Sequence, residues 1–451
     1  MKVTIIGTGY VGINTGVVLA YLGNQVTCLD VNEEKIALFR QGKSPVYEPH
    51  LEETLQLVRG NIRFTSSYEE ADIPNTDVIV ICVGTPSLPD GNADLSYVRQ
   101  AAESIANNLG EKFTVIVNKS TVPIGTGNWV EAITHEHFNG NLNNGERVDF
   151  NVVSSPEFLA QGSAMHDSFY PDRIVIGSQD ERSIERLKDL FGPLLRQDFT
   201  PPPGLPRPEE LTEVPLLVCD LTSAELIKYA ANAFLALKIS YVNEVGRLSD
   251  KIGANIKSVS KGIGMDKRIG ERFLNAGLGW GGSCFGKDTA ALVATARGYQ
   301  LEMPIIKAAR EVNYGQRTLA VDMLQEKLKI LRGKHITLLG FSFKPNTDDL
   351  RDAPSIDIAK LLIQRGALVR AHDPVALQNA RRQYGELGVV FCDEVEEALK
   401  DAEAIILATE WSQYRDLAWE SVAPVPIVDG RNFLDRERLE GLGFEVIGFG
   451  C

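Results

Sequence analysis

One short segment combines a thiol, a cation and a carboxylate at a spacing that suits chemistry: Gly279-Trp280-Gly281-Gly282-Ser283-Cys284-Phe285-Gly286-Lys287-Asp288. A helix that starts near Cys284 would place Lys287 and Asp288 on the same face as the sulfur, because residues three and four apart are neighbours on a helix. A helix N-terminus and a nearby ammonium both favour thiolate over thiol. A tight turn with a buried cysteine would explain a lone thiol, but the flanking glycines and charges favour a nucleophile.

The composition predicts a multidomain protein of the cytoplasm. The chain has 451 residues, of which 44% are hydrophobic, and a formal charge of −14. So acidic a chain argues against binding to nucleic acid or to an anionic membrane. The cysteines are scattered, with no paired or Cys/His spacing, so we expect a reducing compartment and no metal site. Neither a secretory signal nor a membrane-spanning run is expected.

The first thirty residues have the pattern of a dinucleotide site, namely a strand, Gly-x-Gly-x-x-Gly, a helix, a second strand and an acid. In this pattern Gly7 permits the tight turn, Gly9 lets backbone N–H groups approach a pyrophosphate, and Gly12 lets the helix pack on the strand. Asp30 ends the second strand, where a carboxylate accepts from ribose hydroxyls and repels a 2′-phosphate. We therefore predict that the chain binds NAD rather than NADP.

Polar residues follow three later strands of the same half. Gly84-Thr85-Pro86 and Lys119-Ser120-Thr121-Val122-Pro123 end two of them, at the edge where open α/β sheets bind ligands, although a capped turn explains each equally well. Glu157 follows the third strand, where it could be a general base or a charge at a helix N-terminus. The run from Asp172 to Gly177 is expected to be the last strand of this sheet.

A proline-rich segment, residues 199–215, predicts a domain boundary. Beyond it, the capping-box pattern from Thr222 to Glu225 predicts the start of a long helix that ends near Ile252. Lys228 and Asn232 would share one face of this helix and could stabilise an oxyanion, although a snorkelling lysine is the ordinary alternative. A helix of this length also suits a dimer interface or a spine between domains.

From His335 the strand–helix alternation restarts without a Gly-x-Gly-x-x-Gly motif. Three basic residues, Lys344, Arg351 and Arg431, lie at predicted strand ends, where phosphates would bind. We therefore predict an α/β fold with two Rossmann-like doubly wound domains joined by a long central helix. The second of these domains lacks the glycine-rich loop that binds a pyrophosphate, so it could bind a nucleotide that does not need this loop.

Together these motifs resemble those of the nucleotide-sugar dehydrogenase family over the whole chain, through Gly7-Thr8-Gly9-Tyr10-Val11-Gly12, Ser120-Thr121-Val122-Pro123, Pro156-Glu157-Phe158-Leu159, Gly281-Gly282-Ser283-Cys284-Phe285 and Gly340-Phe341-Ser342-Phe343-Lys344. The resemblance implies an NAD-dependent, four-electron oxidation of the C6 alcohol of a nucleotide sugar to a carboxylate. It implies an NAD-binding domain (1–198), a linker (199–221), a central helical dimerisation domain (222–332) and a nucleotide-sugar-binding domain (333–451).

The resemblance also implies roles for individual residues. Cys284 would carry a thiohemiacetal and then a thioester, with its oxyanion stabilised by Lys228 and Asn232. Asp288, with Thr121 and a water, would assist proton transfer, and Glu157 would be the general base in thioester hydrolysis. The implied NAD contacts are Gly7, Gly9, Tyr10, Val11, Gly12, Asp30, Lys35, Gly84, Thr85, Thr121, Lys287 and Arg351. The implied substrate contacts are Glu157, Phe158, Leu159, Lys228, Asn232, Arg268, Phe273, Asn275, Gly277, Gly279, Phe343, Lys344 and Arg431.

The sequence constrains the identity of the substrate and the oligomeric state less closely than it constrains these residue roles. The segment from Lys267 to Gly270 and the form of the cysteine motif favour UDP-glucose, with GDP-mannose and a UDP-N-acetylhexosamine as alternatives. A homodimer or a higher homo-oligomer is expected, in which Arg268 reaches across the dimer interface. Gln161 stands where the family usually has a second acid, so it could orient a water but could not take a proton. A noncatalytic NAD-binding protein would be expected to lose Cys284, Lys228 or Asp288.

Overall fold

The computed structural model describes residues 1–138 and 149–451. These residues form two compact units, Met1–Ala230 and Ala231–Cys451. One β-sheet lies in each unit. No helix within the described ranges is long and apolar enough to cross a membrane.

The sheet of the first unit has eight strands: β1 (Lys2–Ile6), β2 (Gln25–Leu29), β3 (Ile62–Thr65), β4 (Val78–Ile81), β5 (Thr114–Asn118), β6 (Phe150–Ser154), β7 (Ile174–Gly177) and β8 (Leu216–Cys219). Their order is β3-β2-β1-β4-β5-β6-β7-β8. All neighbours pair in parallel except β6 and β7. The first six strands thus have the 3-2-1-4-5-6 order of dinucleotide-binding sheets.

The helices of this unit follow its strands: α1 (Tyr10–Tyr21), α2 (Glu33–Arg40), α3 (Leu51–Leu57), α4 (Ser96–Asn108), α5 (Thr126–His137), α6 (Ala164–Phe169) and α7 (Glu181–Arg196). Helix α1 is almost wholly apolar and packs against β2, α3 and α6, so most of its residues are buried. Its N-terminus therefore lies at the carboxyl end of β1, where the glycine motif was predicted to bind its ligand.

The proline-rich segment packs on the first unit and leads into a strand of its sheet, whereas a linker would make few such contacts. Strand β8 pairs in parallel with β7, so β7 is not the last strand of the sheet. Leu205 and Val214 are buried in the core of the same unit. Pro215 stands directly before β8, and a proline is tolerated at the start of an edge strand, where it removes no ladder hydrogen bond. A four-residue edge strand without alternating hydrophobicity gave no sequence signal of its own.

Helix α8 (Leu221–Ile252) continues from the first unit into the second, and its predicted extent is confirmed. Its first turn differs from the predicted capping box. The Asp220 carboxylate accepts from the Ser223 backbone N–H at 2.8 Å and from the Ser223 hydroxyl at 2.6 Å. Glu225 instead accepts from the backbone N–H groups of Gly125 and Gly127 at the start of α5. A local acid therefore caps α8, and the predicted capping glutamate holds a distant helix.

The second unit continues with α9 (Ile256–Gly264), α10 (Phe285–Gly298), α11 (Pro304–Leu328), β9 (His335–Leu339), α12 (Pro354–Gln364), β10 (Leu368–His372), α13 (Leu377–Tyr384), β11 (Val389–Phe391), α14 (Val395–Leu399), β12 (Ala404–Leu407), α15 (Ser412–Arg415), β13 (Pro426–Asp429), α16 (Arg436–Gly441) and β14 (Glu445–Ile447). Its parallel sheet has the order β11-β10-β9-β12-β13-β14, which is again 3-2-1-4-5-6. The predicted fold class, with two Rossmann-like domains and a long central helix, is confirmed.

Candidate active site

The three glycines of the first motif lie in three different environments. Gly7 has φ +92°, and a Cβ there would lie 2.8 Å from the Cys82 carbonyl oxygen. A Cβ on Gly12 would lie 1.9 Å from the Gly7 carbonyl oxygen, so only glycine lets α1 approach the turn. A Cβ on Gly9, the N-cap of α1, would meet no atom within 4 Å. The helix N-terminus is thus open to an anion, which is the approach that a pyrophosphate needs.

The Asp30 carboxylate is fixed beside this turn. Its Oδ2 accepts from the Thr8 backbone N–H at 2.8 Å and from the Thr8 hydroxyl at 2.9 Å, and its Oδ1 accepts from the Asn32 N–H at 3.0 Å. The Lys35 ammonium lies 3.8 Å from Asp30 Oδ2. Carboxylate oxygens have further lone pairs, so Asp30 can still accept from a ribose.

A second pair of predicted cofactor residues meets at the ends of β4 and β5. The Thr85 hydroxyl donates to the Thr121 carbonyl oxygen at 2.7 Å. A Cβ on Gly84 would meet no atom within 4 Å, so the backbone beside Thr85 is open. Val11, in the first turn of α1, is half-buried. The first unit therefore brings two predicted cofactor segments to the same edge of one sheet, as the parallel strand order requires.

Glu157 and Lys228 form a buried ion pair in the first unit. Lys228 Nζ lies 2.9 Å from Glu157 Oε1, while Glu157 Oε2 accepts from the Leu159 N–H at 2.6 Å. Burial raises the pKa of Glu157, but the Lys228 ammonium and the Leu159 N–H outweigh burial and hold this pKa below its usual value. Lys228 Nζ also lies 5.4 Å from the ring centroid of Phe158, and the Arg173 guanidinium lies 3.6 Å from the same centroid. Glu157 is therefore an ionised acid beside a cation.

Sequence reasoning missed two cations near Glu157. Arg173 covers the Phe158 ring, and only the fold brings the loop after β6 beside the residue that precedes β7. Lys119 follows β5, and burial lowers its pKa, while Cys82 and Glu157 act in the opposite direction and Lys228 lowers it further. The Lys119-Ser120-Thr121 motif was a possible signal for Lys119. Gln161, in the same loop as Glu157, has a buried Oε1 without a hydrogen-bond partner among the described residues.

In the second unit, Cys284 occupies the N-cap position of α10, as the sequence predicted for a helix starting near the thiol. Its sulfur lies 3.6 Å from the Ser283 hydroxyl. The Arg351 carbonyl oxygen accepts from the Gly282 N–H at 2.9 Å, which ties the Arg351 turn to the cysteine loop. The thiol thus lies at the N-terminus of α10, and such a position favours the thiolate.

One turn into α10, Asp288 is 1% exposed and is engaged through both oxygens. Its Oδ2 accepts from the Asn232 amide at 2.6 Å. Its Oδ1 lies 2.7 Å from the Lys287 ammonium, at an angle that does not make a hydrogen bond. Asn232, Asp288 and Lys287 therefore meet in the second unit.

Helix α11 holds the cysteine loop through residues that the sequence did not single out. The Trp280 N–H donates to Asn313 Oδ1 at 2.7 Å, and Asn313 Nδ2 donates back to the Trp280 carbonyl oxygen at 3.0 Å. Arg317 Nη2 donates to the same oxygen at 3.3 Å, and Arg310 Nη1 donates to the Gly286 oxygen at 2.6 Å. The spacing of 310, 313 and 317 is helical, but it cannot reveal which loop that face holds.

The predicted substrate residues of the second unit fall into two groups. Arg431 donates to the carbonyl oxygens of Gly279 and Phe343, at 3.0 and 3.3 Å, and so joins the cysteine loop to the end of β9. The members of this first group are buried or half-buried, and they include Gly277 and Lys344. The Gly277 N–H donates to Asn243 at 2.8 Å, and the Lys344 ammonium lies 5.7 Å from the Phe343 ring. The second group is exposed: Phe273, Asn275 and Arg268, of which Arg268 pairs with Asp266. Arg351, a predicted NAD contact, is also exposed and pairs with Asp349.

Comparisons with known proteins cover the whole chain. Three family models match: the UDP-glucose/GDP-mannose dehydrogenase family NAD binding domain over residues 1–195, its central domain over 222–315 and its UDP binding domain over 337–436. A UDP-glucose 6-dehydrogenase of Bacillus subtilis is 41% identical over 100% of this chain and 98% of its own length.

Solved structures agree with these matches. A UDP-glucose dehydrogenase of Pyrobaculum islandicum has a TM-score of 0.87 at 41% identity, covering 97% of this chain and 95% of that one. A UDP-D-ManNAc dehydrogenase of Pyrococcus horikoshii has a TM-score of 0.83 at 25% identity, covering 100% and 99%. The chain therefore belongs to the UDP-glucose/GDP-mannose dehydrogenase family.

Proposed function

We propose that this chain is an NAD-dependent UDP-glucose 6-dehydrogenase, which oxidises the C6 alcohol of UDP-glucose to the carboxylate of UDP-glucuronate. The observation that carries the proposal is Cys284 at the N-cap of α10, with the buried Asp288 one turn beyond it and hydrogen-bonded to Asn232 of α8. An alcohol dehydrogenase that stops at the aldehyde needs no such thiol. Relatives that oxidise UDP-glucose share 41% of their residues with this chain, whereas the relative that oxidises UDP-D-ManNAc shares 25%.

The residues of the first unit fit NAD. The open approach to Gly9 suits a pyrophosphate, and the Asp30 carboxylate suits an unphosphorylated ribose. When bound, NAD accepts the hydride in each of the two oxidations. The chain supplies the remaining chemistry through its own side chains.

In this proposal the Cys284 thiolate adds to the C6 aldehyde and forms a thiohemiacetal, which the second oxidation converts to a thioester. The Lys228 ammonium and the Asn232 amide are N–H donors, and in this proposal they stabilise the oxyanion. Asp288 and Thr121, with a water, assist proton transfer. Glu157, which is held ionised, takes a proton from the water that hydrolyses the thioester.

We further propose a homodimer built on α8. Exposed apolar side chains recur along this helix at Phe234, Tyr241, Leu248 and Ile252, mostly one heptad apart. Such a stripe on a helix surface is typical of an interface with another helix. Cytoplasmic residence is also proposed, since no disulfide joins the cysteines of the described ranges. Sedimentation of the full chain tests the dimer, and a monomer at micromolar concentration would contradict it.

The experiment that tests the activity counts NADH produced per sugar consumed across UDP-glucose, GDP-mannose and UDP-N-acetylhexosamines. We expect two NADH per sugar with UDP-glucose and at least 100-fold lower rates with the others. The Cys284→Ser variant should bind NAD normally but form no carboxylate. A serine hydroxyl is a weaker nucleophile than a thiolate, and it cannot form the reactive thioester. Normal turnover by that variant would eliminate the thioester role, and one NADH per sugar would eliminate the four-electron reaction.

A further inference from the structure

The loop that carries Glu157 and Gln161 is held from outside by a buried acid, Glu48. This loop runs from the end of β6 to the start of α6. The Gly162 N–H donates to Glu48 Oε2 at 2.7 Å, and the Ala164 N–H donates to Glu48 Oε1 at 2.7 Å. Glu48 is 6% exposed. Gly162 has φ +81°, which only glycine adopts at little cost, so the chain is shaped to present this N–H to the carboxylate.

Tyr10 joins this contact from the dinucleotide motif. It is the first residue of α1 and stands between Gly9 and Gly12. Its hydroxyl donates to the Glu48 carboxylate, and the Gly162 N–H lies 2.8 Å from the same hydroxyl oxygen. The tyrosine expected to contact the cofactor therefore points its hydroxyl at the loop of the general base.

A carboxylate suits this position because it only accepts hydrogen bonds and can serve several donors at once. The two backbone N–H groups and the tyrosine hydroxyl all donate to Glu48. A glutamine of the same shape has one acceptor oxygen, so at least one of these donors would face its NH₂ group. Buried donors without a partner are costly, so the loop would move to find others.

We propose that Glu48 and Tyr10 are positioning residues that set the loop of Glu157 and Gln161 for hydrolysis of the thioester. The inference rests on the proposed function above. In that step the water oxygen bonds to the acyl carbon, the C–S bond breaks, and the thiolate of Cys284 leaves with the electron pair. The water proton passes to the Glu157 carboxylate. A displaced loop slows this step, which follows both oxidations, more than it slows the first release of NADH.

The test compares Glu48→Gln and Tyr10→Phe with a matched control, Glu52→Gln. Glu52 is an exposed acid four residues further on, which accepts from the Ser44 N–H and makes no contact with the loop among the described hydrogen bonds. Rapid-mixing absorbance measures the burst of NADH, and intact-mass spectrometry of quenched enzyme measures the acyl group on Cys284.

For Glu48→Gln we expect a burst of two NADH per active site, a steady rate about 10-fold below wild type, an accumulated acyl-enzyme and a KM for NAD within about twofold of wild type. Tyr10→Phe should show the same burst and the same accumulated acyl-enzyme with about a threefold fall in rate, and it tests the proposal if Glu48→Gln does not fold. A raised KM for NAD without a burst, or an unchanged rate, would overturn the proposal. If wild-type enzyme forms neither two NADH per sugar nor a Cys284 adduct, the proposed function fails instead.

Discussion

The two Rossmann-like sheets have the same strand order, but the turns that follow their first strands differ in what occupies them. In the first unit, the turn after β1 is short, and the backbone at Gly9 is open. In the second unit, residues 340–353 separate β9 from α12, and the start of this loop is occupied by a side chain. Asp373, at the end of the second strand of its sheet, accepts at Oδ2 from the backbone N–H groups of Phe341 and Ser342, at 2.7 and 2.9 Å.

Asp373 stands where Asp30 stands in the first sheet, after the second strand, and this equivalence shows what each acid does. Asp30 accepts from the backbone N–H groups of Thr8 and Asn32 and from the Thr8 hydroxyl, and it is 9% exposed, so it has capacity for a ligand. Asp373 is 1% exposed and also accepts from Trp411 Nε1 and, at Oδ1, from the N–H groups of Val375 and Ala376. The chain's own carboxylate therefore takes the N–H groups that a pyrophosphate would need.

The strongest test of this contrast is to remove each acid. We expect Asp373→Ala to lower the free energy of unfolding of the second unit by about 4 kcal/mol, because several buried N–H donors lose their acceptor at once. Asp30→Ala should cost about 1–2 kcal/mol, since its acid is more exposed and serves fewer donors. Urea titrations followed by hydrogen exchange in peptides from β1 and β9 would locate the loss. Equal losses in the two variants would end the distinction between a structural and a ligand-binding acid.

A second contrast concerns how the two units cap the helix that follows the fifth strand. The N-terminus of α5 is held by a distant acid, Glu225, through Gly125 and Gly127 at 2.6 and 2.7 Å. Helix α16 is capped locally, by Asp435 on the Arg438 N–H at 3.1 Å. Burial raises the pKa of Glu225 to about 7, although the two N–H groups act in the opposite direction. The distant cap therefore titrates near neutrality.

The sign of this effect follows from the unfolded chain, in which a glutamate has its ordinary pKa near 4.5. Below that pH Glu225 is protonated in both states, and its contribution to the free energy of unfolding is complete. As the pH rises from 4.5 to 7 the unfolded chain ionises first, so this contribution falls by about 3 kcal/mol. Glu225→Gln should remove the fall, and hydrogen exchange of α5 from pH 4.5 to 8 measures it. Asp435→Ala should instead lower the stability of α16 by about 1 kcal/mol, equally across this range.

Residues whose partners are close in sequence were predictable, and residues whose partners are distant were not. The glycines of the first motif and the start of α10 at Cys284 follow from local spacing, and the structure has both. Glu225 matched a local capping pattern, but the Asp220 carboxylate was nearer to that helix terminus and replaced it. The partners of Glu48, Asp373 and Asn313 come from other elements, so only the folded chain reveals what they do.

The candidate site shows the same limit. The sequence placed Asp288 and Asn232 among the predicted catalytic residues, and the structure brings their side chains into contact. It gave no warning that Lys228 would be engaged by Glu157, because 71 residues of sequence separation carry no pattern of spacing. Strand β8 was missed for a related reason, since four residues at a sheet edge have too little hydrophobic periodicity to be recognised.

The last expected effect concerns cofactor choice and again separates the two acids. Replacing Asp30 with Ser removes the negative charge that would repel a 2′-phosphate, so kcat/KM for NAD relative to NADP should fall about 30-fold, or about 2 kcal/mol. Asp373→Asn is the matched control, because its carboxylate is occupied by its own turn and should not influence the ratio. The ratio is measured at saturating UDP-glucose. A fall in the ratio for Asp373→Asn, or none for Asp30→Ser, would contradict the assignment of the cofactor preference to Asp30.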